Sequence, residues 1–364
     1  MYLSKKLIIR LCGNKKLNKD FDFNKVSSIL IRPVGDAVGD AIAHIGYVQQ
    51  LKALYPSSRI GVLVTDRNRD VYAHCALIDN LIDEKLFDYW KNRKKWQILL
   101  DFHESFTSMH IIGCALLSPQ INMIFSKREK KYYNLQTLNH YDFHCPPRPN
   151  THMADHLLDS KFAEYFPLER AKFTLTASEA ELKQAAAYWK PRHQKVRVLL
   201  APQGSYWKRN IPPQELADLL NQCPPEALTN TQFLICNAKN SEEYFQQIKS
   251  RCNKNIDIAL APKTTLKQYI SLVASSDITV CVDSGTVHLA CALNRPLLSF
   301  YANCPENINL WHPLPNQDVP NLMVISASKE ESRETHNFPL NQASPWLNKQ
   351  IDKCCNENGI ESTT

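Results

Sequence analysis

No apolar run in the 364 residues approaches the roughly 20 needed to cross a bilayer, so a helical membrane protein is excluded. Residues 1–13 also lack a secretory signal: Leu7-Ile8-Ile9 is a short apolar stretch among Lys5, Lys6 and Arg10, and no small-residue cleavage site follows. A soluble, cytoplasmic protein is expected. None of the 12 cysteines forms a CxxC pair, and Cys236, Cys281 and Cys291 lie inside apolar strand or helix patterns. Buried free thiols suit a reducing compartment better than a disulfide framework does. The GxGxxG fingerprint is missing, which disfavours a dinucleotide-dependent oxidoreductase. Zinc-finger spacing and RNA-binding aromatic motifs are missing too, so nucleic acid is not an expected partner. There is no internal repeat and no low-complexity tract.

What is present is globular: 44% hydrophobic and 22% charged residues, in a length that suits two domains of about 150 residues each. The charge is uneven. Residues 1–165 hold 23 Lys+Arg against 17 Asp+Glu, so +6 of the net +7 lies there. Clusters at Lys91, Arg93, Lys94, Lys95 and at Lys127, Arg128, Lys130, Lys131 would steer an anionic partner; ordinary solvated faces are the plainer reading.

Two stretches alternate an apolar strand run, a turn and an amphipathic helix, the pattern of parallel sheets covered by helices. In the first half, a strand at 28–31 leads to a helix from about Asp40, with Ala41, Ile45 and Val48 at i, i+4, i+7. Strands at 60–64 and 98–101 follow. In the second half, strands are expected at 196–200, 232–236, 278–282 and 296–300. Helices are expected at 213–220, 241–248, 266–274 and 286–293. Cys145-Pro146-Pro147-Arg148-Pro149 breaks the pattern, and 166–194 contains a helical pattern bounded by Pro167 and Pro191, placing a domain boundary within about 165 to 195. A last helix near 345–353 would pack back on the body.

Three loops could carry chemistry. The junction Asp283-Ser284-Gly285-Thr286 ends a strand and starts a helix, offering free N–H groups, two hydroxyls and the positive end of a dipole to an anion. Plain helix capping, and a packed His288, are the structural alternatives. The loop Ala201-Pro202-Gln203-Gly204-Ser205-Tyr206-Trp207-Lys208 leaves the carboxyl end of a strand, where ligand crevices form, and its lysine could neutralise a phosphate or simply be solvated. The loop Pro33-Val34-Gly35-Asp36-Ala37-Val38-Gly39-Asp40 holds two Gly-Asp pairs. Either aspartate could be a general base, and Asp40 could also be an N-cap.

Together these loops resemble glycosyltransferase family 9, the heptosyltransferases that build the inner core of bacterial lipopolysaccharide. The strongest part runs from Leu260-Ala261-Pro262-Lys263-Thr264-Thr265-Leu266 through Ala274-Ser275-Ser276-Asp277 to Val282-Asp283-Ser284-Gly285-Thr286-Val287-His288-Leu289-Ala290. It continues with Leu293-Asn294-Arg295-Pro296 and Phe300-Tyr301. Ile29-Leu30-Ile31-Arg32, Gly39-Asp40 and Leu51-Lys52-Ala53-Leu54-Tyr55-Pro56 look like the family's opening strand, catalytic loop and first helix. The match spans residues 28–310. It departs in a longer loop before Gly39, in Asn237 where a strand-end glycine is usual, and in Ala302 after Tyr301. The helix register favours Asp40 over Asp36 as the family's aspartate.

The resemblance implies an α/β protein of the GT-B class, two Rossmann-like domains with parallel sheets facing a central cleft. An acceptor-binding domain would span 1–170, a nucleotide-sugar-binding domain 171–335, and a helix and tail 336–364. It implies inverting, metal-independent transfer of heptose from ADP-heptose, a substrate rather than a cofactor, to Kdo or heptose of the core. Asp40 would be the base and Lys208 would stabilise the leaving diphosphate. Donor contacts carried over are Gln203, Gly204, Asp283, Ser284, Gly285, Thr286 and His288, with Thr264 and Thr265 near the adenosine and Glu242 or Glu243 at the ribose. Acceptor contacts are Gly39, His103, Ser105 and Ser108. The partner would be an anionic core glycolipid met peripherally at the inner face of the cytoplasmic membrane. A family member using another nucleotide sugar, and a non-catalytic binder of anionic glycans, are the alternatives.

Overall fold

The computed structural model describes residues 2–191 and 195–359. The chain forms two compact units, Met1–Lys172 and Phe173–Thr364.

The first unit contains α1 (Tyr2–Cys12), β1 (Ser28–Arg32), α2 (Val38–Leu54), β2 (Arg59–Val64), α3 (Arg69–Ala73) and β3 (Asn80–Asp83). It continues with α4 (Leu86–Lys91), β4 (Ile98–Asp101), α5 (Ser108–Leu117), β5 (Ile121–Ile124) and β6 (Phe143–His144). Its strands pair in the order β3-β2-β1-β4-β5-β6, every pair parallel. β1, Ser-Ile-Leu-Ile-Arg, is buried at every residue, as a central parallel strand covered on both faces must be. Strand order reverses between β1 and β4, so the loops after these two strands flank the crevice at the sheet's carboxyl edge.

The second unit contains α6 (Glu179–Ala186), β7 (Val196–Ala201), α7 (Pro213–Asn221), α8 (Pro225–Thr229), β8 (Thr231–Ile235), α9 (Ser241–Lys249) and β9 (Ile258–Leu260). After them come α10 (Leu266–Ser275), β10 (Ile278–Val282), α11 (Gly285–Ala292), β11 (Leu297–Tyr301), α12 (Pro305–Trp311), β12 (Asn321–Ile325) and α13 (Leu340–Asn358). The strands run β12-β11-β10-β7-β8-β9, again all parallel. Here the order reverses between β10 and β7, the strands that precede the Asp283 and Lys208 loops.

Three expectations need correction. α2 starts at Val38, so Asp40 lies inside its first turn, and Ala37 is the N-cap without a side-chain cap. The helical pattern expected within 166–194 is α6 alone. Ala171, Phe173 and Leu175 are buried in alternation, the period of extended chain, and only at Ser178 does a capping box with Glu181 start a helix. Residues 192–194 lie outside the described residues. The last helix is longer than 345–353 and carries Pro345 inside it; Ala343, Leu347, Ile351 and Cys354 form a buried stripe against the second unit's core, which offsets the hydrogen bond lost at the proline. Residues 360–364 of the expected tail are also outside the described residues. All twelve cysteines are free thiols, Cys236, Cys281 and Cys291 among the buried ones. Among the described residues no helix is long and apolar enough to cross a membrane.

Candidate active site

In the first unit the loop after β1 is held by His44, one helical turn beyond Asp40. The Val34 N–H donates to His44 Nε2 at 3.3 Å, and His44 Nδ1 donates to the Asp40 carbonyl at 2.5 Å. The ring is fully buried and packs edge-on against Tyr47 and Phe102. Burial pushes its pKa down to about 4, so the neutral imidazole can donate from one nitrogen and accept at the other. A Cβ on Gly35 would overlap the Asp40 carboxyl oxygen, so a larger residue there would push the Asp40 side chain from its present position.

The Asp40 carboxyl is largely desolvated, which pushes its pKa up to about 6; a hydrogen bond from the Ala37 backbone pulls it down, and the charges of Asp36 and Glu104 add to the rise. A carboxylate with that pKa is ionised at neutral pH yet basic enough to take a proton. Asp36 differs: its side chain is 38% exposed and pairs with Arg67 at 3.1 Å. The geometry therefore separates the two aspartates that sequence spacing left together.

The other residues expected at the acceptor are near this edge but already engaged. Gly39 is buried in the first turn of α2. The Ser105 N–H donates to His103 Nδ1 at 3.1 Å. Ser108 Oγ and the Tyr133 hydroxyl are 2.8 Å apart. Beneath them, Asp101 is buried between Arg32 at 3.0 Å and Lys127 at 3.1 Å. Lys127 therefore leaves the surface cluster in which its sequence neighbours put it, because its side chain is wholly buried on Asp101. Arg128 is also paired, with Glu104 at 2.6 Å.

In the second unit a cavity of about 360 Å³ opens at the carboxyl edge, and Gln203, Gly204, Thr264, Thr265, Ser284 and Thr286 line it. Its size suits a small-molecule site. Ser284 caps α11, accepting from the Thr286 N–H at 3.3 Å, and keeps its own hydroxyl proton to donate. Gly285 is the first residue of α11, whose opening N–H groups have no intrahelical partner. Thr265 caps α10 in a capping box with Gln268. Tyr269, absent from the sequence expectations, lines the cavity with its hydroxyl 2.7 Å from Thr286 Oγ1. Its signal was a polar-tipped residue one turn beyond Thr265 in the helix register.

Other expected donor contacts are elsewhere. His288 faces the core between Phe173 and Trp311, where burial pushes its pKa down to about 4, because α11 is buried on nearly all sides. Glu242 and Glu243 are exposed on α9 and accept hydrogen bonds from Gln246 and Gln247 one turn on, away from the cavity lining. Asp283 is tied to Asn307 at 2.8 Å and to Arg209 at 3.7 Å; burial raises its pKa and Arg209 opposes the rise. Lys208 is not in the cavity lining either: its Nζ holds Glu334 at 2.5 Å, half-exposed, while its carbonyl accepts from Thr335. Arg209 and Glu334 were not foreseen, although the Lys208-Arg209 basic pair was a readable signal. Among the described residues no cluster of three His, Cys, Asp or Glu side chains could hold a metal ion.

The family model of glycosyltransferase family 9 (heptosyltransferase) matches residues 92–340. The chain is 23% identical to the lipopolysaccharide core heptosyltransferase OpsX of Haemophilus influenzae, over 86% of this chain and 88% of that protein. Among solved structures, E. coli ADP-heptose lps heptosyltransferase II superposes with a TM-score of 0.69 at 18% identity, covering 90% of this chain and 99% of the other. E. coli heptosyltransferase WaaC with ADP gives 0.65 at 13% identity, covering 89% and 99%. The two parallel six-stranded sheets are thus those of the GT-B fold.

Proposed function

Because the chain belongs to glycosyltransferase family 9 (heptosyltransferase) and is a glycosyltransferase of lipopolysaccharide biosynthesis, we propose that it transfers heptose from ADP-heptose to a Kdo or heptose residue of the core, with inversion. The observation that carries the reading is Asp40, a desolvated carboxylate with its pKa raised to about 6 in the first turn of α2, where His44 ties that turn to the strand-end loop. Asp40 takes the proton of the acceptor hydroxyl as that oxygen attacks the anomeric carbon. The bond from that carbon to the diphosphate oxygen breaks, and ADP departs with the electron pair.

In the second unit the cavity holds the nucleotide, with Thr264 and Thr265 at the adenosine. The hydroxyls of Ser284 and Thr286 and the opening N–H groups of α11 receive the diphosphate. Lys208 exchanges Glu334 for the departing phosphate, a swing of one long, half-exposed side chain. Glu334 thus keeps Lys208 poised until the donor arrives. The acceptor reaches the enzyme from the inner face of the membrane, and the carboxyl edge of the first unit, with Gly39 and the His103 loop, receives it.

Tyr269→Phe removes the hydrogen bond that orients Thr286. KM for ADP-heptose is expected to rise about threefold to tenfold with kcat nearly unchanged, the size of one lost neutral hydrogen bond. Steady-state kinetics read this directly. The donor assignment is tested by following nucleotide release from ADP-heptose and from UDP- and GDP-linked sugars with one core acceptor. ADP-heptose should be preferred by at least about 10²-fold, as expected when a polar pocket rejects the wrong base. Preference for another nucleotide sugar would overturn it, and binding without turnover would make the protein a glycan binder.

A further inference from the structure

Resting on the reading that the acceptor is lipid-anchored, we propose that α4, α5 and α1 of the first unit form a docking surface for an anionic bilayer. The charge is more one-sided than the total suggests. The first unit carries 25 Lys+Arg against 18 Asp+Glu, the second 18 against 18, so the whole net +7 belongs to the unit with Asp40. Part of the basic set is consumed inside the fold, as Lys127 is. Lys91, Arg93, Lys94 and Lys95, at the end of α4 and in the turn after it, are exposed. None of these four pairs with a carboxylate among the described residues. Asp88, the carboxylate of α4 itself, is half-buried.

Beside this basic turn stand side chains that water alone does not favour. Phe87 is 67% exposed and Trp90 61%, with ring centroids 6.1 Å apart, and Leu86 opens the same helix at 43%. α5 packs against α4 and against α1, so the three helices form one layer. α5 adds Met109 in its first turn, 42% exposed. α1 turns Ile8, Ile9 and Cys12 inward onto a core cluster and leaves Leu7 and Leu11, one turn apart, 56% and 69% exposed beside Arg10.

Aromatic rings partition to the level of lipid head groups, and neighbouring lysines and arginines are attracted to anionic lipid. A protein partner could use the rings, but it would have no need of a basic turn without carboxylate partners next to them, in which Arg93 alone has side-chain partners among the described residues, the Ala115 and Leu116 carbonyls. The placement also suits the reaction. The first turns of α4 and α5 follow β3 and β4, so Leu86, Phe87 and Met109 lie at the same carboxyl edge as Asp40 and His103, while the basic turn, which leads into the start of β4 and meets Leu117 at the end of α5, anchors the other end of the layer. A glycolipid whose acyl chains stay in the bilayer would present its sugars to that edge.

The test is co-sedimentation of the full chain with phosphatidylcholine vesicles, with or without phosphatidylglycerol. Wild type should bind the anionic vesicles and release them as salt rises. The quadruple variant Lys91→Gln, Arg93→Gln, Lys94→Gln, Lys95→Gln should lose about 10²-fold or more in partition, and Phe87→Ser with Trp90→Ser about tenfold or more. Both should turn over a delipidated, water-soluble acceptor like wild type, which separates this surface from the catalytic reading: failure of soluble turnover in wild type sinks that reading and leaves vesicle binding as a separate result. The surface is wrong if wild type ignores anionic vesicles, if the variants bind them as wild type does, or if Phe87→Ser with Trp90→Ser only dissociates a dimer in sedimentation velocity.

Discussion

Asp40→Asn should lower kcat by about 10²-fold or more and leave KM for ADP-heptose near its wild-type value, because only the transition state needs the proton acceptor. Asn keeps the shape and removes the charge. In wild type, activity should fall as pH drops through about 6, where burial places the Asp40 carboxyl, and this acid limb should vanish from the residual activity of the variant. The stability sign runs the other way. A folded-state pKa above the unfolded value means that the native protein binds the extra proton, so stability declines as pH rises from about 4 through about 6. At neutral pH, then, Asp40→Asn should fold at least as stably as wild type, and a thermal melt checks that the lost rate is not lost fold. Asp36→Asn, which breaks an exposed pair with Arg67 and removes a minor contribution to the raised Asp40 pKa, should change the rate at neutral pH less than about twofold.

The second large effect is on stability. Asp101→Asn leaves two buried cations, Arg32 and Lys127, without the carboxylate between them. Breaking a buried ion network by removing one partner typically costs about 3–5 kcal/mol. Arg32 keeps the flanking Glu84 at 3.5 Å, but its Nη2 already has no hydrogen-bond partner among the described residues, and its Nη1 would lose the bond to Asp101. Burial raises the Asp101 pKa, but Lys127 and Arg32 overcome it and hold the carboxyl well below the usual range. This stabilisation is therefore complete above about pH 4 and lost as pH falls below it. Urea titrations at pH 7 should show the full penalty, and the gap between variant and wild type should narrow in acid. Adding Lys127→Met should recover part of the loss by removing one uncompensated charge.

Whatever depended on local periodicity could be read from the sequence. The β1 and β10 strands are apolar runs, and the α2, α9 and α10 stripes repeat at helical spacing, so the central strands of both sheets were foreseeable, while β3, β5, β6, β9 and β12, short or at a sheet edge, were not. The positions of Asp40, Ser284 and Thr286 where a strand gives way to a loop or helix were legible too, whereas Thr264 came from the family resemblance. What could not be read was pairing across long separations. Lys208 meets Glu334 126 residues later, and Lys127 meets Asp101 from the far side of β5, so neither lysine's neighbours reveal whether it is free. His288 failed for a different reason: α11 is apolar all round, and no stripe says which face meets the cavity. Glu242 and Glu243 were carried over from the family across a loop of different length, and the start of α9 turns them outward.

The most direct measurement is the structure of the product made from ADP-heptose and a core acceptor, its mass by spectrometry and its new linkage by NMR. The account predicts an acceptor one heptose longer, joined with the anomeric configuration opposite to that in the donor, since a single displacement assisted by Asp40 inverts the carbon it attacks. No product, or a heptose joined with the donor's configuration retained, would contradict it.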